Sequence, residues 1–259
     1  EHSSLAEPRD LLGGMFSSTE CRVDPRTASA RIAEFLTTTR GVDVSFGAAA
    51  VAVEDRTVRT ADGRTWTADR VVVCSGSDLR TLFPDVLARS GLVLCKLQML
   101  RSVRQPRTGT PPHLASGLTL RHYSAFRDCP SLAGLRARVA EEAPELDRFG
   151  VHVMASQFPD GQVVLGDSHE YGEDVSPFDK ITIDELILRE CRKVFRLDDW
   201  RVHERWHGVY AKHPELAVFE AEPTPGVHAF VGTGGAGMTM ALGLADRAWD
   251  RWEGRGTAT

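Results

Sequence analysis

The feature that most constrains this chain is a glycine-rich loop near the C-terminus, set between a strand-like run and an apolar helical segment. GVHAFVGTGGAGMTMALGLADRAWDRW places Gly232, Gly234 and Gly237 in G-x-G-x-x-G spacing. Glycines let the backbone approach a ligand closely, and a helix N-terminus offers N–H donors and partial positive charge. The loop therefore predicts a helix start that faces an anionic or electron-rich part of a ligand.

The same spacing is shared with NAD-binding proteins, which gives a less favoured alternative. A dinucleotide-binding βαβ unit needs another strand after the helix and an acidic residue about 20 positions on. Residues 238–259 contain no such strand pattern. A tight helix–sheet packing motif without a ligand is the other alternative.

Two kinds of periodicity predict a mixed fold, α/β in part and α+β overall. ADRVVVCSGSDL is a continuous apolar run that ends in small residues, typical of a parallel strand buried on both faces. Alternating patterns indicate an antiparallel sheet in GLVLCKLQMLRSV, GLTLRHYSAF, VHVMAS and QVVLGDSHEYG, with a turn at Asp160-Gly161. We expect a partial parallel-sheet layer and an antiparallel sheet flanked by helices.

Local signals predict the remaining elements. Asp24-Pro25 begins a helix that Gly41 ends, with Ala28, Ile32, Phe35 and Leu36 on one face. A second helix covers residues 183–195. Short strands are predicted in VDVSF, AVAVE, TVRTADGRTW (with a turn at Asp62-Gly63) and RVHERWHGVY, and TGTPPH is a proline-rich loop.

Composition excludes several classes of function. A net charge of −5 with mixed signs shows neither a basic stripe for nucleic acid nor a polybasic segment for membranes. No apolar run reaches the roughly 18 residues of a membrane span. Five cysteines without a CxxC pair indicate reduced thiols in a cytoplasmic protein. His203 and His207 share a strand face without a third ligand, so no metal site is predicted.

The segment GTGGAGMTMALGLA resembles the C-terminal motif of the D-amino-acid oxidase, glycine oxidase and sarcosine oxidase family of FAD-dependent oxidoreductases. Within that family, the sequence resembles a bacterial branch found beside phosphonate-degradation genes. Four other segments resemble the family in the same order, namely LLGGMFSSTECRVDP (a strand and helix start), ADRVVVCSGSDLRTLFP, LVLCKLQMLRS and QVVLGDSHEYG.

The resemblance implies which residues contact the cofactor. The glycine loop would face the pyrimidine edge of the flavin, and the strand with its small-residue turn would cover the pyrophosphate side. Sarcosine oxidases attach FAD to a cysteine in the C-terminal region, and none follows Cys191 here, so the FAD is expected to be non-covalent. The implied cofactor-binding residues are Val51, Cys74, Ser75, Gly76, Gly234, Gly235, Ala236, Gly237, Met238 and Thr239.

The candidates for the substrate side are Lys96, Gln98, His122 and Tyr210. Lys96 and Gln98 alternate on one face of LCKLQML, where a lysine serves a ligand or is an edge-strand residue in solvent. Tyr210 and Lys212 lie in RWHGVYAKHP, where amino-acid oxidases often carry a carboxylate-clamping arginine. This difference indicates another anion, for example that of an amino-phosphonate.

The resemblance also implies a domain organisation. Residues 1–90 would form part of an FAD-binding domain, with the approach to the substrate sheet near 11–24. Residues 91–210 would form the substrate domain, and 211–259 would return to the FAD-binding domain. Nothing matches the family's N-terminal βαβ unit, so we expect a truncated chain whose FAD site is completed by a missing segment or a partner chain.

The leading hypothesis is an oxidoreductase that transfers a hydride from a small amine, amino acid or amino-phosphonate to flavin, oxidising a C–N bond. The substrate would be a small zwitterionic molecule. The alternative is a non-catalytic remnant or subunit that supplies the substrate sheet to a partner chain.

Overall fold

The computed structural model describes residues 3–106 and 109–255, which form two compact units. The first unit comprises Glu1–Val44, Lys96–Glu170 and Ser176–Gly208. The second comprises Ser45–Cys95, Tyr171–Val175 and Val209–Thr259. The mixed α/β fold predicted from the sequence is confirmed, with strands and helices in both units.

The largest sheet has six strands and includes most of the predicted antiparallel segments. β8 pairs antiparallel with both β5 and β7, and Leu165 lies opposite Leu100 and Ala155. The Asp160-Gly161 turn joins β7 to β8 as predicted, with Gly161 at φ 85°. The strand order is β10 (Val202–Lys212), β5 (Val93–Ser102), β8 (Val163–Gly166), β7 (Met154–Gln157) and β6 (Leu114–Ala115), and β9 (Glu170–Gly172) also pairs with β5.

The core of the first unit lies between this sheet and a helix. α5 (Ile181–Val194) confirms the predicted second helix and presents Ile183 and Ile187, both fully buried, to Leu100 and Leu165. The other helices of this unit are α1 (Pro25–Arg40), α3 (Leu132–Glu142) and α4 (Pro144–Arg148).

α1 has the predicted ends and an unexpectedly exposed apolar face. The Asp24 carboxylate accepts a hydrogen bond from the Arg26 amide, and Gly41 adopts the left-handed conformation that ends the helix. Ile32 and Phe35 are about half exposed, at 56% and 51%. The apolar face predicted for this helix is therefore not buried against the part of the chain that the structure describes.

The second unit contains two three-stranded sheets. One has the order β1 (Ala50–Glu54), β2 (Thr57–Thr60) and β3 (Thr65–Thr67), with the predicted turn at Gly63. The other has the order β11 (Phe219–Thr224), β12 (Val227–Val231) and β4 (Val71–Val73). The helices of this unit are α2 (Pro84–Ala88) and α6 (Gly237–Trp252).

Three strand predictions are wrong. GLTLRHYSAF forms 3-10 turns over Gly117–Arg121 and Ser124–Phe126, because β6 takes the pairing position beside β7 and the chain then turns. VDVSF has no partner strand in the described residues, and Val42 and Val44 are exposed. LLGGMFSSTECRVDP is irregular up to the start of α1.

β4 also departs from prediction in its burial, since Val72 is 40% exposed while Val71 and Val73 are buried. TGTPPH is irregular from Gly109 onward, and its first residue lies outside the described residues. Among the helices that the structure describes, none combines the length and the apolar character that crossing a lipid bilayer requires.

Candidate functional site

The second unit brings two predicted cofactor segments together through a parallel strand pair. β12 pairs with β4 in parallel register, with Val227 opposite Val71 and Ala229 opposite Val73. The carboxyl ends of parallel strands meet at one edge of a sheet, where such sheets hold ligands. Residues 74–76 and 232–237 therefore leave the sheet side by side, which the separate sequence motifs did not establish.

The glycine loop is shaped by close backbone packing. Gly232 has φ 86°, a conformation that strains any larger residue, and a Cβ there would also require the Leu92 side chain to shift. Gly234, at φ 59°, begins a 3-10 turn over Gly234–Ala236 that leads directly into α6. Gly235, Met238 and Thr239 are solvent-exposed. The part of the loop from Gly235 onward is therefore partly open to solvent, while Gly232 is buried.

The start of α6 has no side-chain cap in the described chain, and the Gly237 amide donates to the Gly234 carbonyl of the preceding 3-10 turn. No side chain hydrogen-bonds to this N-terminus, and its first turn contains no acidic residue. The first N–H groups of a helix have no intrahelical acceptors and carry the positive end of the helix dipole. A negatively charged group at this position would accept hydrogen bonds from these N–H groups and would be stabilised by the helix dipole.

The turn after β4 contains a further polar atom suited to a ligand. Ser75 Oγ is buried and has no hydrogen-bond partner among the described residues. Gly76 has φ 63° and open space at the Cβ position. Desolvation raises the pKa of the neighbouring Cys74 thiol. Val51 lies in β1, in the other sheet of this unit, and is 37% exposed; its cofactor contact stays a prediction.

Tyr210 and Lys212 lie beside the glycine loop in the second unit. A Cβ on Gly235 would be 3.4 Å from the Tyr210 hydroxyl, and one on Gly234 would be 3.5 Å from Lys212 Cγ. Lys212 Nζ donates to the Tyr171 hydroxyl at 3.4 Å and lies 5.3 Å from the centre of the Tyr171 ring. Sequence reasoning missed Tyr171, whose segment it had recognised without singling out the residue.

Lys96, in the first unit, is buried to 1% exposure. Its ammonium donates to the carbonyls of Ser176 at 2.9 Å and Phe178 at 2.5 Å, and it lies 2.9 Å from Asp179 Oδ1. The alternative of a solvent-exposed edge-strand lysine is therefore wrong. Burial acts to raise the pKa of Asp179, but hydrogen bonds from Lys96 and His207 outweigh it and lower the pKa.

Gln98 continues the same network along β5. Its Nε2 donates to the Lys180 carbonyl and to Asp184 Oδ1, both at 3.0 Å, and its Oε1 accepts from the Lys180 amide at 2.7 Å. Arg205 Nε donates to Asp184 Oδ2. Lys96 and Gln98 thus hold residues 176–184 at the start of α5. This packing accounts for their burial, and a catalytic role for either stays a prediction.

His122, also in the first unit, follows the 3-10 turn and joins two other histidines. Its ring centre lies 4.2 Å from that of His152 and 5.5 Å from that of His169, while His152 and His169 are 4.9 Å apart. Burial lowers the pKa of His152 to about 2, and nearby positive charges add to this effect. Burial raises the pKa of Asp167, next to this cluster, to about 7.

Comparison with solved structures shows which proteins share this fold. Glycine oxidase from Geobacillus kaustophilus aligns with a TM-score of 0.51 and 13% identity, covering 81% of this chain and 49% of that one. L-proline dehydrogenase from P. horikoshii aligns with a TM-score of 0.52 and 14% identity, covering 81% of this chain and 50% of that one. L-amino acid deaminase from Proteus vulgaris, without its specific insertion sequence, aligns with a TM-score of 0.56 and 18% identity. The alignment covers 91% of this chain and 53% of that one. The chain has the fold of these proteins and spans about half their length.

The family follows from the sequence match. The family model DAO, whose description is FAD dependent oxidoreductase, matches residues 2–251 of the sequence. The chain therefore belongs to this family, which confirms the family resemblance seen in its motifs. No curated protein sequence matches the chain.

Proposed function

We propose that this chain supplies the flavin-facing loop and the antiparallel sheet of an enzyme that oxidises a C–N bond of a small amine, amino acid or amino-phosphonate. The observation that carries the proposal is the parallel β4–β12 pair. It sets the turn at 74–76 beside the glycine loop and the start of α6. Membership of the FAD-dependent oxidoreductase family supports the same conclusion.

The residues at this edge of the sheet fit FAD. The uncapped first turn of α6 can stabilise negative charge on a reduced flavin, and the exposed glycine loop permits close approach. The buried Ser75 hydroxyl, which has no partner among the described residues, can bond to a polar cofactor atom. Residues 74–76 and 232–239 would hold the flavin, which would supply the hydride acceptor for the C–H bond beside the substrate nitrogen. We propose that the FAD is held non-covalently, because no cysteine follows Cys191 in the sequence.

We propose that further residues, on a longer chain or on a partner chain, complete the nucleotide site. β4 ends its sheet without a further neighbour in the described chain, and Val72 is 40% exposed. On α6, Met238 and Leu242 are 60% and 82% exposed. The aligned part of this chain covers only about half of the glycine oxidase and L-proline dehydrogenase chains. The same exposed apolar residues are what a non-catalytic subunit would present to a catalytic partner.

The side chains beside the loop support an anionic substrate. Lys212 offers a positive charge next to Gly234, and the Tyr210 and Tyr171 hydroxyls lie close by. A lysine and two tyrosines provide a point charge and single donors, whereas an arginine gives a planar two-pronged clamp. We propose that this set suits a phosphonate or a differently placed carboxylate, which would agree with the resemblance to the phosphonate-associated branch.

Anaerobic reduction of the bound flavin tests the proposed activity. The protein from the complete coding region is mixed with glycine, N-methylglycine, D-alanine, L-proline and 2-aminoethylphosphonate, and the flavin absorbance near its long-wavelength maximum is followed. Bleaching by at least one of these compounds is expected. A flavin that all of them leave oxidised would favour the non-catalytic subunit instead.

Lys212→Met is expected to raise KM for the anionic substrate about five- to tenfold and to change kcat little. The substitution removes one charge–charge contact, which is worth about 1 kcal/mol at a partly solvated site. The matched control is Lys193→Met on α5, where the side chain is 59% exposed and pairs with Glu190. Steady-state kinetics check the pair. An equal KM in both variants would show that Lys212 does not contact the substrate.

A further inference from the structure

We propose that His122, His152 and His169 form a binding site for a late first-row divalent transition metal ion, with Zn²⁺ the best match. One ring nitrogen from each histidine lies within 4.8 Å of the others. The three residues come from segments far apart in the chain, following the 3-10 turn, preceding β7 and preceding β9. This inference is independent of the proposed flavin chemistry.

His169 is held in the tautomer that a metal ligand needs. Its Nδ1 lies 3.0 Å from the Gly150 carbonyl, which can only accept, so Nδ1 carries the proton and Nε2 keeps its lone pair. A Cβ on Gly150 would lie 2.8 Å from His169 Cβ, so the two backbones pack closely at this point. Histidine ligands commonly donate their second N–H to a backbone carbonyl in this way.

His152 supplies a second observation that points to a ligand. The residue is 3% exposed, and its Nδ1 is buried without a hydrogen-bond partner in the described chain. Its other nitrogen, Nε2, lies 3.3 Å from Asp167 Oδ1, close to this carboxyl group but not hydrogen-bonded to it, and Asp167 is itself 7% exposed. A carboxylate behind the far nitrogen of a ligating imidazole is the usual outer shell of a zinc histidine. A metal on Nδ1 would satisfy an atom that is otherwise costly to bury.

The third ligand, His122, can move to complete the site. The rings are now stacked, with 15° between the planes of His152 and His169 and 33° between His122 and His152. Zn–N bonds of about 2.0–2.1 Å lie near the ring planes, so coordination requires the rings to turn out of this stack. His122 is the exposed member of the three and follows a short turn, so its ring meets the least protein packing when it rotates.

The charges around the cluster permit a cation. Arg121 is the neighbouring positive group, and its guanidinium is paired with the Asp147 carboxylate. Asp167 adds a second carboxyl group at the site. Imidazole ligands suit Zn²⁺, Ni²⁺ and Cu²⁺ rather than Mg²⁺ or Ca²⁺, and three histidines leave one tetrahedral position for water.

Cobalt and zinc titrations of the tag-free, chelator-treated chain test the proposal. We expect one Co²⁺ per chain, seen by its visible d–d absorption, and displacement by Zn²⁺. His122→Ala and His169→Ala should each weaken Co²⁺ binding at least about tenfold, and Asp167→Asn about tenfold. His203→Ala is the matched control, because His203 lies exposed on β10, and its affinity should equal that of the wild type.

Thermal unfolding gives a second readout that does not depend on absorbance. Saturating Zn²⁺ should raise Tm in the wild type and in His203→Ala, because a ligand that binds only the folded state stabilises it, and should not do so in His122→Ala. His122 is exposed, so its variant is expected to fold normally without metal. Failure of the wild type to bind Co²⁺, or equal binding by wild type, His122→Ala and His169→Ala, would overturn the site.

Discussion

Lys96→Met is expected to lower the free energy of unfolding by about 2–4 kcal/mol. The substitution preserves length but removes the donor for the carbonyls of Ser176 and Phe178 and the partner of Asp179. Buried acceptors left unsatisfied cost about 1–3 kcal/mol, and loss of one member of a buried ion pair costs more. Asp179 is 33% exposed and can bind water in place of Lys96. The expected loss of stability is therefore smaller than the sum of these separate costs.

Urea unfolding of Lys96→Met and Lys193→Met measures this difference. Lys193 pairs with the buried Glu190 carboxylate, but Glu190 keeps Arg189 as a second partner, so this substitution is expected to lower stability by about 1 kcal/mol or less. Normal stability in Lys96→Met, together with a loss of kcat, would instead assign Lys96 to the chemistry and contradict its packing role. The comparison therefore separates the two interpretations of this lysine.

Gly235→Leu is expected to weaken flavin binding about tenfold to a hundredfold while leaving the fold intact. Gly235 is exposed, and a Cβ would lie 3.4 Å from the Tyr210 hydroxyl, so the larger side chain fills the surface of the loop. Overpacking of a close contact costs about 1–3 kcal/mol, and about 1.4 kcal/mol corresponds to a factor of ten in affinity. Flavin fluorescence titration of the protein from the complete coding region gives the dissociation constant.

Gly243→Ala is the matched control for this experiment. Gly243 lies within α6 and has open space around its Cβ position, so alanine should keep flavin affinity and add slightly to helix stability. Wild-type affinity in Gly235→Leu would mean that the cofactor does not approach the loop. Equal losses in both variants would indicate a general effect on α6 rather than a contact.

Local sequence signals predicted the elements that depend on neighbouring residues. Asp24 and Gly41 correctly bounded α1, and Asp160-Gly161 correctly joined β7 to β8, since caps and tight turns are determined within a few residues. GLTLRHYSAF has the alternation of a strand, yet pairing with β7 is taken by β6. Strand formation depends on a partner distant in sequence, and alternation alone does not supply one.

The candidate site shows the same division between local and distant information. The glycine loop and the residues at 74–76 were predicted separately, and only the parallel register of β4 and β12 places them side by side. The partners of Lys96 lie about eighty positions away in sequence, so its burial among carbonyls and Asp179 had no local signal. His152 and His169 likewise join His122 only through folding.

Hydrogen exchange with and without FAD tests most directly whether the flavin lies against the carboxyl ends of β4 and β12. The protein from the complete coding region is exchanged in both states, and peptide mass spectrometry reports each segment. Slower exchange in the FAD state is expected at residues 74–76 and 233–239, with little change in α5. Protection confined to other segments, with both of these segments unchanged, would show that the flavin does not lie against β4 and β12.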